Sequence, residues 1–128
     1  MAEPIVFISR LRLRSGAAEA FVPMFQGAVM SIAATKPKTA VFAAYLGDDR
    51  SAVSIVHVFP DGAAMAQHFE GSDDRAGSIA DLVEYIGFEV YGNAPRAAID
   101  QLAAEAKDAG ATLITYPDPI GGYLTGPA

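Results

Sequence analysis

An α+β domain built in the order β-α-β-β-α-β is what this 128-residue chain predicts, on three observations. Segments 5–14, 39–46, 52–59 and 85–92 carry the β-branched, aromatic or alternating pattern of strands. Segment 17–34 and the stretch after Asp61 repeat apolar residues at three- and four-residue spacing, as amphipathic helices do. Turn-forming residues separate them: Ser15-Gly16, Gly47-Asp48-Asp49-Arg50 and Pro60-Asp61-Gly62.

Ile5, Phe7, Ser9, Leu11 and Leu13 share one face of the first strand, and Ser9 is its only polar member. Arg10, Arg12 and Arg14 share the other, as expected of a solvated sheet face; the alternative has Arg10 reaching an anionic group in a cavity. Ser15-Gly16 offers a turn and a helix N-cap. The helix that follows places Ala18, Phe21, Val22, Phe25, Ala28, Val29 and Ile32 on a buried side. Pro23 interrupts it. Proline removes a backbone donor at a cost of about 3 kcal/mol, so the helix is expected to kink there or to begin there.

Lys36-Pro37-Lys38 ends this helix, and strands 39–46 and 52–59 form a hairpin. Asp61 is the expected N-cap of the second helix. His68 shares a face with Met65 and Phe69 and so points inward. Gly71-Ser72-Asp73-Asp74 breaks that helix, and Ala76, Ile79, Ala80 and Val83 carry a further helical stretch. In the fourth strand Ile86, Phe88 and Val90 share a face opposite Glu89. After Asn93-Ala94-Pro95, residues 96–109 form an amphipathic helix through Ile99, Leu102 and Ala106, with Gly110 as its C-cap and a short strand at Thr112–Tyr116.

This order is the split βαβ pattern of ferredoxin-like folds, with an antiparallel sheet. Residues 1–95 form the domain, and 96–128 an extension packed on it or on a dimer mate. Helices on one side leave the other sheet face uncovered, and a symmetric dimer packing sheet to sheet is the simplest cover.

Composition narrows the function classes. A net charge of −6 and a pI near 4.7 argue against nucleic-acid binding. With no cysteine there is neither a disulfide nor a thiolate nucleophile. No apolar run reaches the ~18 residues of a membrane helix, and Met1-Ala2-Glu3-Pro4 lacks a basic signal region, so a cytoplasmic location is expected. There is no phosphate-binding glycine loop, no nucleophile elbow and no metal-spaced cluster of histidines and carboxylates.

Phe59, Asp61, Ala63-Ala64 and His68, in the run FPDGAAMAQHFEGS after the third strand, resemble the antibiotic biosynthesis monooxygenase domain of the dimeric α/β barrel superfamily. The likeness covers about residues 4–92. It implies a homodimer with a pocket between sheet and helices in each subunit. It also implies oxidation of an aromatic, polyketide or quinol-like substrate by dioxygen, with no metal or added cofactor. The ionised substrate supplies the electron; the protein binds it, assists deprotonation and excludes water. A haem-degrading branch needs asparagine, tryptophan and histidine where this chain has Ser9, His68 and about Ser78, so that activity is not expected.

His68 is the candidate catalytic residue, because an imidazole titrates near neutrality; its structural alternative is a buried histidine bonded to a backbone carbonyl. Ser9, Phe7 and Phe25 are candidate substrate contacts, although Phe7, Phe21, Met24, Phe25 and Phe88 also suit a plain core. His57 is in phase with Val53, Ile55 and Phe59. It is expected at the sheet-to-sheet interface, paired with Glu89 or joined with Arg10 and Glu89 in a second, barrel-side pocket. Tyr45, Tyr85 and Tyr91 can donate to a carbonyl, and nothing in the sequence singles one out. Beside the oxygenase stand a non-catalytic carrier or sensor with the same pocket, and an isomerase or decarboxylase with Arg10 as carboxylate clamp.

Overall fold

A computed structural model describes residues 3–71 and 79–125. Its elements are β1 (Ile5–Leu13), α1 (Ala18–Thr35), β2 (Val41–Leu46), β3 (Ala52–Phe59), α2 (Gly62–Phe69), β4 (Val83–Tyr91), α3 (Arg96–Ala109) and β5 (Thr112–Tyr116). One sheet joins the strands in the order β2-β3-β1-β4-β5. The first four pair antiparallel, as the ferredoxin-like order requires. β5 lies parallel to β4, so the sheet is mixed rather than antiparallel throughout. The crossover through α3 brings the chain back to enter β5 in the direction of β4.

The alternation of β1 places Ile5, Phe7, Ser9, Leu11 and Leu13 on the buried side and turns Arg10 and Arg12 out. The core has two parts. One, beneath α2 and α3, joins Ile5, Phe7, Phe59, Met65, Val90 and Leu102. The other, beneath the start of α1, joins Leu11, Leu13, Phe21, Val53, Ile55 and Val83. α3 contributes Ala98, Leu102 and Ala106 to the first part, so it packs on its own chain.

α1 runs unbroken through Pro23. Pro23 and Glu19, whose carbonyl loses its partner, are both exposed, where water can replace the lost bond. Ser15 does not cap this helix: the N-cap is Ala17, with no side-chain hydrogen bond, and Phe21 N donates to the Ala17 carbonyl at 2.9 Å. Asp61 does cap α2, accepting from Ala64 N at 2.9 Å. Gly110 ends α3 in the left-handed region, at φ 69°. Of the helical stretch expected through Ala76, Ile79, Ala80 and Val83, Ala76 lies outside the described residues, Ile79 is helical and Ala80 is in a turn. Val83 belongs to β4, where it pairs with Leu13.

β4 carries a bulge. Gly87 pairs with Arg10 but Tyr85 pairs with Leu11, so Ile86 is an extra residue. Tyr85, not Ile86, therefore joins Phe88 and Val90 on the helix-bearing face, and Ile86 is 42% exposed.

Candidate functional site

A cavity of about 490 Å³ lies between the sheet and its helices. The alternation that buries one face of the sheet sends Phe7, Ser9, Ile55, His57 and Phe88 into it. α1 stands opposite with Phe21, Met24, Phe25 and Ala28, one helical face by spacing. Phe25 stacks on Phe42 of β2 with ring centroids 5.0 Å apart. The walls are thus mainly aromatic, as suits a flat apolar ligand.

Two imidazoles meet in this cavity. His57 and His68 are 6% and 3% exposed, with ring centroids 5.0 Å apart and planes at 81°. His57 Nδ1 lies 3.0 Å from the Phe7 carbonyl oxygen. A carbonyl can only accept, so neutral His57 carries its proton on Nδ1 and its lone pair on Nε2. The His57 ring also stacks on Phe7, at 4.5 Å and 18°. His68 sits in the last turn of α2, with Nδ1 2.9 Å from Thr39 Oγ1. A hydroxyl both donates and accepts, so this contact is compatible with either tautomer of His68.

α3 closes one side of the cavity. Leu102 supplies apolar surface, while Gln101, Glu105 and Asp108 bring polar groups along one helical stripe. Tyr85 faces them from β4, and burial, with a smaller contribution from the Glu105 charge, pushes its phenol above the ordinary tyrosine value. It is therefore a neutral hydroxyl at physiological pH. The rim is open at Ala80, Asp108 and Ala109, which are exposed.

Of the residues singled out from the sequence, Phe7, Ser9, Phe25, His57 and His68 come together here. Arg10 and Glu89 do not; they lie on the outer face of the sheet. Arg10 Nε donates to Glu89 Oε2 at 2.6 Å, and the Tyr91 hydroxyl donates to Glu89 Oε1 at 2.6 Å. The Arg10 hydrogen bond, then that of Tyr91, holds the Glu89 carboxyl below the usual range, and Glu89 in turn raises the Arg10 guanidinium. The expected pairing of His57 with Glu89 is thus corrected: β3 and β4 flank β1, but the two side chains leave the sheet on opposite faces. Nor does Arg10 reach into this cavity.

Sequence reasoning missed Phe42, Gln101 and Glu105 as cavity residues and did not single out Tyr85. The polar stripe at 101, 105 and 108 was a readable signal; the shift at Tyr85 was not, because the bulge depends on pairing with β1. Among the described residues, no group of three or more histidines and carboxylates is arranged to hold a metal ion. No helix among them is long and apolar enough to cross a membrane.

No family model matches the sequence, and no curated protein does. Solved structures share the fold. MupZ from Pseudomonas fluorescens is similar with a TM-score of 0.65 at 12% identity, covering 94% of this chain and 95% of that one. SnoaB from Streptomyces nogalater, a cofactor-independent oxygenase solved in a mutant form, gives 0.57 at 17% identity, over 70% and 91%. A candidate antibiotic biosynthesis monooxygenase from Bacteroides thetaiotaomicron gives 0.57 at 19% identity, over 69% and 85%. The chain therefore has the fold of the antibiotic-biosynthesis-monooxygenase-like proteins. A match over 94% of the chain must extend beyond β4, so part of the extension has a counterpart in MupZ.

Proposed function

We propose that this protein is a cofactor-free monooxygenase acting on a small aromatic, polyketide or quinol-like molecule bound between sheet and helices. The supporting observation is a pair of buried histidines lining an aromatic-walled cavity large enough for a ring system. SnoaB, with a similar fold, is a cofactor-independent oxygenase. Deprotonation is the step a protein without a cofactor has to assist, and His68 assists it here. The ionised substrate then reduces dioxygen. For an anthrone, one oxygen atom becomes the new carbonyl and the other leaves as water with the two hydrogens removed from the ring carbon.

Oxygen uptake by the metal-stripped protein with a panel of anthrones and dihydroxyaromatics tests this. Uptake is expected, and His68→Ala should lower its rate by about 100-fold or more, as loss of a group that assists deprotonation does. Equal rates for the two proteins would rule out the proposed role of His68. A carrier or sensor is the second reading, because the same aromatic walls suit retention as well as turnover. Tight binding of panel members without oxygen uptake would select it.

A further inference from the structure

We propose that His57 is the base that takes the substrate proton, and that His68 steadies the oxygen left behind. The inference rests on the reading of the cavity as a ligand site and deepens it. It does not depend on oxygen chemistry.

The two histidines differ in what their surroundings decide. On His57 the Phe7 carbonyl fixes the proton on Nδ1, so the accepting lone pair belongs to Nε2 in the neutral ring. When Nε2 takes a proton, the same Nδ1–H bond becomes charge-assisted and strengthens. The Phe7 ring stacked at 4.5 Å offers its π face to the new cation. Each contact favours the charged product over the neutral start. On His68 the Thr39 hydroxyl, at 2.9 Å, is compatible with either tautomer. With Nδ1 accepting from Thr39, its Nε2–H is a donor suited to a developing oxyanion.

Among the described residues, the other titratable groups lining the cavity fit this assignment. Tyr85 of β4 is held neutral by burial and by Glu105, so it can donate but does not compete as a base. Glu105 and Asp108 of α3 add negative charge to the wall, which favours an imidazolium over a neutral ring. The ligand is therefore an aromatic carrying an ionisable hydroxyl, a phenol or an enol. The step balances: the O–H bond breaks, its electron pair stays on oxygen, and an N–H bond forms at His57 Nε2. No oxidant is required.

The test reads the ionisation of a bound chromogenic phenol. Para-nitrophenol is added, below its own pKa, to wild type, His57→Gln, His57→Phe and His68→Gln. Para-nitroanisole, which cannot ionise, reports on the cavity alone. Wild type should show the phenolate absorption band. Both His57 variants should still bind nitroanisole, yet hold nitrophenol without the band, and His68→Gln should weaken the band without abolishing it. A neutral bound phenol in wild type, or a persisting band in His57→Gln, overturns the assignment. Failure of wild type to bind either compound overturns the cavity reading with it. A phenolate band without oxygen uptake from any panel member supports the base assignment and counts against the oxygenase alone.

Discussion

One backbone carbonyl sets the chemistry of His57: the Phe7 oxygen at 3.0 Å decides which ring nitrogen carries the proton. The residue that provides the carbonyl also provides the stacked ring, so a single position on β1 orients the imidazole twice. Thr39 plays a looser part for His68. Thr39→Val keeps the shape and removes the hydroxyl, and it should cost about 0.5–1.5 kcal/mol in thermal unfolding, the worth of one hydrogen bond. On the outer face, Glu89 accepts from Arg10 and Tyr91. Its carboxyl is held low in the folded state, so its contribution is present at neutral pH and lost as pH falls through the acid range. The Arg10 side chain is 48% exposed, which keeps the interaction small. Glu89→Gln should lower stability at pH 7 by about 0.5–1 kcal/mol. The loss should shrink on acidification, as paired denaturation curves would show. No sequence rule gave the Phe7 bond, because it joins residues fifty positions apart.

At the scale of elements, α3 and the β4 bulge shape the cavity more than any single motif does. Helix α3 was legible, from Arg96 to the Gly110 cap, because its apolar positions keep a helical period and glycine ends it. Its role in the cavity was not legible, since a helix can turn its stripe to any neighbouring surface. Leu102 is buried in the core on one side and lines the cavity on the other. Leu102→Ala should destabilise by about 2–5 kcal/mol and should also loosen ligand binding. The end of β4 depends on Gly92, which has φ 109° and whose added Cβ would lie 3.0 Å from the Pro4 carbonyl oxygen. Gly92→Ala should cost about 1–3 kcal/mol, measured as a lower unfolding midpoint in urea.

At the scale of the whole molecule, the sheet has two unlike faces. The inner face holds the core and the cavity. The outer one presents Val6, Ile8, Val56 and Val58, with exposed Val41, Tyr45, Ile114 and Tyr116 nearby. Such an apolar surface calls for a partner, and a second copy packed sheet to sheet is the proposed one. Sedimentation equilibrium should return twice the chain mass, and Val56→Glu should shift it to the monomer while the fold persists. A wild-type monomer at high concentration would remove this proposal.

Periodicity and turn chemistry were enough to read the element order, the strand faces of β1, the Asp61 cap and the inward direction of His68; they grouped His57 with Val53, Ile55 and Phe59 but set that face of β3 towards the sheet-to-sheet interface instead of the cavity. These follow from local forces: an alternation of two or a repeat of three to four sets which side a residue takes, and a cap acts within one turn. Tertiary structure alone decided what lies beside what. It made the sheet mixed, moved Tyr85 inward through a bulge and brought His57 against His68. It also separated His57 from Glu89 across the sheet. Each of these depends on strand register and long-range packing, which connect residues far apart in the chain, so no local pattern of side chains records them.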